Sequence, residues 1–352
     1  MARTGPPFPC ANVMRMKARA TPRRGGPTAR AERKAAADLD LGKLRTYPIR
    51  SRKNKVRVAD FARPLPARPS FEEFLEALPR ILAGNTLREL VERIAAARGA
   101  GKPVVLGMGA HVIKAGLSPL IIQAMRGGWI QAVAMNGAGI IHDYEVATIG
   151  ETSEEVAASL IDGSFGMVTE TLVEMNQAIN AGVAKGLGLG EALGYYHNQR
   201  KPRPPWLEHS IAAEAERLGL PLTVHVAVGC DTIHMHASAS GAAIGEGSLR
   251  DFRRLAAVIA ELGAGGVFLN VGSAVIIPEV FLKALSVVRN LGFPAHDIVT
   301  ANLDMIQHYR PSQNVVSRPT GGSRDGTGFF LTGQHELMVP LLFQAVRLRL
   351  KA

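Results

Sequence analysis

The sequence predicts a Rossmann-like α/β fold with a doubly wound, mostly parallel sheet, and three observations support this. Short apolar runs of strand length alternate with longer segments that have helical periodicity. Several of the apolar runs end directly in glycine. The chain has 352 residues, of which 47% are hydrophobic, and can therefore bury a sheet between two layers of helices. Strands separated by helices need crossover connections, which make neighbouring strands parallel.

The individual elements follow from these patterns in chain order. Residues 71–100 carry apolar side chains at helical spacing, and Asn85 and Thr86 predict a break and an N-cap between two helices. Further along, near-continuous apolar runs alternate with amphipathic segments. The predicted strands are 103–107, 129–135, 222–228, 266–271 and 297–301. The predicted helices are 116–126, 249–262 and 277–291, and residues 153–219 are mainly helical with a loop at 197–205.

The positive charge of the chain is confined to its start. The formal net charge is +11, but residues 1–57 hold 16 Lys and Arg against 3 Asp and Glu, and the remainder holds 25 against 27. This predicts a basic, disordered extension at 1–57, followed by one domain at 58–352. A tail that contacts RNA, a membrane or an acidic partner is the alternative. No nucleic-acid-binding motif accompanies the charge, so no nucleic-acid partner is predicted.

Cysteine content and hydropathy bear on the location of the protein. Cys10 and Cys230 are far apart and belong to no C-x-x-C pattern, so the sequence encodes neither a disulfide framework nor a cysteine zinc site. No secretory signal and no apolar run of membrane-spanning length is present, so no membrane partner is predicted. These features predict a cytoplasmic protein.

Small residues follow four of the predicted strands, at 107–111, 136–139, 228–231 and 271–274. In open parallel sheets, ligands bind beyond the carboxyl ends of the strands, where small residues let the backbone approach phosphates. Together the four turns predict a ligand crevice. Glycine also simply permits a tight turn between a strand and a helix, and that alternative stays open.

Five segments resemble the deoxyhypusine synthase family, in the same order along the chain. They are GMGAHVIKAG, AMNGAGIIHDYEVATIGE, VGCDTIHMHAS, NVGSAVIIPEVFLKAL and HELMVPLLFQAV, and the resemblance extends over residues 70–350. It implies the deoxyhypusine synthase fold, a homotetramer with active sites between subunits, an amine-type small-molecule substrate and NAD as the cofactor. The residues it places at NAD are Gly109, Ala110, His111, Val112, Asn136, Gly137, Ala138, Asp231, Gly272 and Ser273.

Within this set, Asp231 has the most specific implied role. The resemblance implies that its carboxylate holds a ribose or the nicotinamide end of the dinucleotide. An aspartate at such a turn also commonly caps the following helix, which is the structural alternative for Asp231.

The chain departs from the family at the groups that perform the transfer. The family forms an imine on a lysine in a tryptophan-glycine-lysine segment, and this chain has no lysine between Lys283 and Lys351. The carboxylates with which the family binds a polyamine correspond to His142 and to the region of His234 and His236. An imidazole attracts an ammonium less than a carboxylate does. The departures predict a changed substrate and a reaction other than deoxyhypusine formation.

The sequence therefore predicts a deoxyhypusine synthase-like, NAD-dependent enzyme with transferase-like chemistry. The predicted catalytic residues are His142, Asp231, His234 and His236, within a polar cluster that also contains Asp143 and Glu145. A divalent metal at the histidines, in a hydrolase or lyase on the same scaffold, is one alternative. A non-catalytic regulatory paralogue is the other, because the catalytic lysine is missing.

Overall fold

The computed structural model describes residues 38–322 and 324–351, and the chain divides into two compact units. The first unit comprises residues 1–54, and its described part contains two exposed 3₁₀ turns, at Leu41–Lys43 and Ile49–Ser51. The second unit comprises residues 55–352 and holds the sheet. Most of the predicted disordered extension lies outside the described residues, so the domain division after residue 57 stays a prediction.

The second unit contains a six-stranded parallel sheet with the strand order β3-β2-β1-β4-β5-β6. This order confirms the predicted doubly wound α/β fold, because the chain winds outward from β1 to one edge and then from β4 to the other. The strands are β1 (Val104–Met108), β2 (Ala132–Asn136), β3 (Leu222–His225), β4 (Val267–Val271), β5 (Val299–Asp304) and β6 (Thr327–Thr332). The sequence pattern did not predict β6, an edge strand in which only Phe329 and Leu331 are buried.

Helices cover the sheet, and their bounds correct one prediction. Asn85 and Thr86 do not separate two helices but lie inside a continuous one, and the break falls earlier, around Pro79. The helices are α1 (Phe71–Ala77), α2 (Leu82–Gly99), α3 (His111–Lys114), α4 (Ser118–Arg126), α5 (Gly137–Ile149), α6 (Val156–Asp162), α7 (Met175–Ala184), α8 (Leu189–Gln199), α9 (Ile211–Leu218), α10 (Gly241–Ala260), α11 (Ile276–Asn290), α12 (Tyr309–Pro311), α13 (Arg318–Thr320) and α14 (His335–Lys351). Among the described residues, no helix has the length and apolar character needed to span a membrane.

Alternate strand residues face two separate hydrophobic cores, one on each side of the sheet. Leu106 and Leu269 belong to the core that contains α2 and α14. Phe268 belongs to the opposite core, where its ring stacks on Phe281 of α11 with the centroids 3.8 Å apart. Because helices cover both faces, the strands carry apolar residues almost without interruption. This burial explains why the sequence pattern predicted five of the six strands.

Candidate functional site

The carboxyl ends of all six strands lie along the same edge of the sheet, because the strands are parallel. The strand order reverses between β1 and β4, and open α/β sheets bind ligands at such a switch point. Gly109 follows β1 there and Gly272 follows β4. A Cβ on Gly109 would lie 2.1 Å from the Gly272 carbonyl oxygen, so the two turns are packed backbone to backbone.

The turn after β2 holds the start of α5 against the loop after β3. The Asn136 side chain caps α5 by accepting a hydrogen bond of 3.0 Å from the Gly139 N–H. Asp231 lies against the same turn, since a Cβ on Gly137 would be 2.0 Å from its Oδ2. The Ala138 N–H also donates to the Asp231 carboxylate. Asp231 makes no side-chain cap to its own following turn, so the structure places it at α5 instead.

The glycines at this edge serve chain packing. Gly109 contacts the Gly272 backbone, Gly137 contacts Asp231, and the His335 ring covers Gly272. Each of these close approaches excludes a side chain, so each glycine is explained without a ligand. The case for a ligand at this edge therefore rests on its polar atoms rather than on its glycines.

Asp231 is a buried carboxylate that lacks a full set of partners. It is 7% exposed, and its Oδ2 has no hydrogen-bond partner. Burial raises the pKa of Asp231 to about 6, although the hydrogen bond from Ala138 opposes this shift. Nε2 of His234 lies 4.0 Å from Oδ2. Asp231 can therefore gain or lose a proton close to neutral pH.

The hydrogen bonds of His234 determine which ring nitrogen carries its proton. The Gly229 N–H donates to Nδ1 over 3.1 Å, so Nδ1 supplies a lone pair and the proton of the neutral ring is on Nε2. Burial lowers the pKa of His234, which favours the neutral ring. The Nε2–H is buried and has no acceptor within hydrogen-bond distance. An unpartnered donor on His234 therefore faces an unpartnered acceptor on Asp231.

His142 belongs to a second polar group, on a half-buried side of α5. Its Nδ1 lies 2.6 Å from Oγ1 of Thr152 and 3.6 Å from Oε2 of Glu145. The Thr152 hydroxyl also bonds to Oε2 of Glu145, and Thr171 donates to Oε1 over 3.3 Å. Burial raises the pKa of Glu145, but the interactions of its carboxylate with His142, Thr152 and Thr171 outweigh burial, and the pKa lies below its ordinary value. Glu145 is therefore ionised at neutral pH.

Asp143, the third polar residue of this stretch, has a structural role. It is fully buried, and its carboxylate accepts hydrogen bonds from the Ser210 hydroxyl and from the N–H groups of Ile211 and Ala212. These backbone groups form the first turn of α9, whose N–H groups have no partners within the helix. Burial raises the pKa of Asp143 to about 6, against the opposing effect of these hydrogen bonds.

Three further predicted residues differ in their surroundings. His236 is exposed and bonds only locally, with its Nδ1 2.8 Å from the Ser238 hydroxyl. Residues Thr232–Met235 form a 3₁₀ turn, so His234 and His236 do not share one face of an extended segment. Val112 is 1% exposed and belongs to the hydrophobic core. Ser273 is buried and accepts a hydrogen bond from the Ile277 N–H. None of these contacts tests a ligand role, which stays a prediction.

A further polar group, which the sequence did not predict, lies at the ends of β5 and β6. His335 opens α14, is 1% exposed, and has its Nε2 3.3 Å from the Leu303 carbonyl and 3.7 Å from Oδ1 of Asp304. Its Nδ1 is unpartnered, and its ring lies 5.2 Å from that of His111. Burial lowers the pKa of His335. The only sequence signal was the position of His335 at the start of HELMVPLLFQAV.

Buried polar atoms without partners thus lie at several places along the edge of the sheet where the strands end, which fits a bound molecule with several polar groups. They include atoms of Asp231 and His234 near β2 and β3, of Asn270 at the end of β4, and of His335 near β6. A metal ion fits less well. Among residues 38–322 and 324–351, no three His, Cys, Asp or Glu side chains are grouped so that they could hold one.

Comparison with known proteins gives structural matches alone. No protein-family model and no curated protein matches the chain. The complex of AgrE with ornithine and NAD⁺ is 16% identical, with a TM-score of 0.46, and the match covers 76% of this chain and 33% of AgrE. A conserved protein of the LOR/SDH type from Methanococcus maripaludis S2 is 14% identical, with a TM-score of 0.46, and the match covers 81% of this chain and 72% of that protein.

A third match is a protein assigned as a deoxyhypusine synthase from Entamoeba histolytica. It is 9% identical, with a TM-score of 0.45, and the match covers 79% of this chain and 93% of that protein. This chain spans a third of the length of AgrE and of ArgZ, an arginine dihydrolase from cyanobacteria. Because the sequence identities and TM-scores of these matches are low, the fold assignment rests on the strand order of this chain. A functional assignment rests on the site residues of this chain.

Proposed function

We propose that this protein is an NAD-dependent enzyme of the deoxyhypusine synthase type. It acts on an amine-type substrate by transferase-like chemistry, in a reaction other than deoxyhypusine formation. The observation that carries the proposal is a pair of unpartnered atoms, Asp231 Oδ2 and His234 Nε2. They lie 4.0 Å apart at the edge of the sheet where the carboxyl ends of the strands lie. Leaving a buried carboxylate and imidazole without partners costs folding free energy, and such groups are typical of functional sites.

The arrangement of the edge supports a dinucleotide as the cofactor. In this proposal the turns that contain Gly109, Ala110, Gly272 and Ser273, at the switch point between β1 and β4, would hold NAD. Asp231, beyond β3, holds a ribose or the nicotinamide end, as the resemblance implies. Bound NAD supplies the hydride acceptor of the reaction. The chain itself supplies the groups that orient the substrate and move its proton.

The hydrogen-bonding capacity of Asp231 and His234 suits a neutral amine or a hydroxyl. One heteroatom at about 2.8 Å from each bridges the 4.0 Å gap, accepting from His234 Nε2–H and donating to Asp231 Oδ2. An ammonium has no lone pair with which to accept. Asp231 would take the proton of the heteroatom when the adjacent carbon loses a hydride to the bound cofactor, so that a C=N or C=O bond is left in the substrate.

The group transfer then proceeds without a lysine. Residues 284–350 contain no lysine that could form a covalent imine. We therefore propose direct attack of an acceptor amine on the C=N or C=O carbon of the oxidised substrate. The original nitrogen would leave as an amine, or the oxygen as water, with the proton that Asp231 received, and the new C=N bond would then be reduced by the hydride held on the cofactor. The homotetramer and the cytoplasmic location stay predictions.

Binding of NAD is the first test of this proposal. Calorimetric titration of the purified chain with NAD is expected to show binding in the micromolar range. Asp231→Asn is expected to weaken binding, whereas Asp325→Asn, at an exposed aspartate before β6, is expected to leave it unchanged. Absence of binding to the wild type would reject the proposal, and metal analysis of the same sample would then separate a hydrolase from a regulatory paralogue.

The raised pKa of Asp231 leads to a second prediction, which concerns how the free energy of unfolding depends on pH. Its pKa in the folded protein is about 6, above the value of about 4 expected in the unfolded chain, so the folded state binds the proton more tightly. This group therefore favours folding at low pH, and its contribution is lost as pH rises through about 6. Asp231→Asn is expected to raise the free energy of unfolding by about 2 kcal/mol near pH ~8.

The pH dependence separates this effect from a general change in packing. Urea unfolding at about pH 4 and about pH 8 is expected to show the gain at the higher pH and little or none at the lower one. The matched variant Asp325→Asn is expected to change stability by less than about 0.5 kcal/mol at either pH. A loss of stability in Asp231→Asn at the higher pH would show that the carboxylate is a structural group.

A further inference from the structure

We infer that Thr152 and Glu145 are positioning residues that hold His142 in the tautomer with its proton on Nδ1, so that Nε2 is a proton acceptor. The inference concerns the second polar group, made of His142, Glu145, Thr152 and Thr171. It deepens the proposed function, and the catalytic meaning of the acceptor rests on that function. The tautomer itself depends only on hydrogen bonds within the chain.

The direction of each hydrogen bond follows from the charge of Glu145. An ionised carboxylate only accepts, so the hydroxyls of Thr152 and Thr171 must donate to Oε2 and Oε1. Thr152 has a single hydroxyl proton, and it donates this proton in the hydrogen bond to Glu145. The contact of 2.6 Å between Thr152 Oγ1 and His142 Nδ1 must therefore be a bond in which Nδ1–H donates to the hydroxyl oxygen. The lone pair of the neutral ring is then on Nε2.

The local backbone explains how three residues from different turns meet. His142 and Glu145 are three positions apart on α5 and share a face of the helix. Gly150 ends α5 in the left-handed conformation, with φ of 78°, and the chain turns back along that face. Ser153 has φ of 71°, which is strained for a residue with a side chain. This strained turn presents the Thr152 hydroxyl to His142 and Glu145.

The same group is tied to the loop that carries Asp231 and His234. Leu172, the neighbour of Thr171, accepts a hydrogen bond of 3.2 Å from the Ser238 hydroxyl. The Asn176 amide donates to the Ile233 carbonyl over 2.9 Å. The segment that contacts Glu145 is thus hydrogen-bonded on its other side to the loop after β3.

Nε2 therefore has opposite hydrogen-bonding roles in His142 and in His234. The ring of His142 offers the Nε2 lone pair, and its side chain is 13% exposed. The ring of His234 offers an Nε2–H, because the Gly229 N–H occupies its Nδ1. Nε2 of His142 can therefore accept a proton, whereas Nε2–H of His234 can donate a hydrogen bond.

Nitrogen NMR of the full-length protein, labelled at histidine, tests this inference directly. At neutral pH the wild-type His142 is expected to carry its proton on Nδ1 and His234 on Nε2. Thr152→Val removes the hydroxyl and is expected to lower the ratio of Nδ1–H to Nε2–H in His142 by roughly tenfold, since a hydrogen bond linked to a charge is lost. Thr152→Ser keeps the hydroxyl and is expected to restore the wild-type ratio.

A second variant keeps the test decisive if Thr152→Val does not fold. Glu145→Gln replaces the carboxylate by an amide, which can donate a hydrogen bond to the Thr152 oxygen. The Thr152 hydroxyl is then free to donate to His142 Nδ1. The ratio of Nδ1–H to Nε2–H in His142 is therefore expected to fall. A wild-type His142 with its proton on Nε2 would overturn the inference, as would a ratio unaffected by both substitutions. The measurement needs neither NAD nor substrate, so its outcome is independent of the NAD titration.

Discussion

Replacing Asp143 by alanine is expected to lower the free energy of unfolding by about 3–5 kcal/mol, because three buried donors lose their acceptor together. The Asp143 carboxylate accepts from the Ser210 hydroxyl over 2.6 Å and from the N–H groups of Ile211 and Ala212 over 2.6 and 3.2 Å. Ser210 itself caps the next N–H, that of Ala213. The first turn of α9 thus depends on a side chain from another helix.

Chemical unfolding of Asp143→Ala beside Asp325→Ala measures this effect. The exposed Asp325 is the matched control, for which a change within about 0.5 kcal/mol is expected. Ser210→Ala removes one cap and is expected to cost about 1 kcal/mol. A loss of less than about 1 kcal/mol in Asp143→Ala would mean that water or another group satisfies the N-terminus of α9.

The second large effect is expected at Gly109, where even a methyl group has no space. A Cβ at this position would be 2.1 Å from the carbonyl oxygen and 2.8 Å from the carbonyl carbon of Gly272. Both are backbone atoms, so no side-chain rotation can relieve the contact, and the turns after β1 and β4 must separate. Gly109→Ala is expected to cost about 3 kcal/mol or more of unfolding free energy.

Gly245→Ala is the matched control for Gly109→Ala. Gly245 lies inside α10, and nothing lies within 4 Å of the position of an added Cβ. Alanine is the better helix former, so this substitution is expected to stabilise the protein by about 0.5–1 kcal/mol. The two variants are compared by thermal and urea unfolding. Equal stability of Gly109→Ala and the wild type would contradict the close packing of the two turns.

Much of the candidate site could be located from the sequence, but its pairings could not. Short apolar runs ending in small residues predict both the strands and the edge where polar side chains gather, because strand burial and turn geometry are local properties. The turn that holds Asp231 follows from these patterns, and the resemblance to the deoxyhypusine synthase family pointed to Asp231, His142, His234 and His236. Thr152 and His335 were not predicted, because their positions depend on a turn after α5 and on the unrecognised strand β6.

What the sequence determined by itself is the alternation of buried strands and helices, and with it the edge of the sheet where a ligand can bind. Only the tertiary structure decided what neighbouring polar residues do there. His142 and Glu145 share a face of α5 and contact Thr152. Asp143 follows His142 directly, so its side chain points about 100° further around the helix axis and contacts the start of α9. Helical periodicity separates adjacent residues onto different faces, and the elements that pack against each face are distant in the chain.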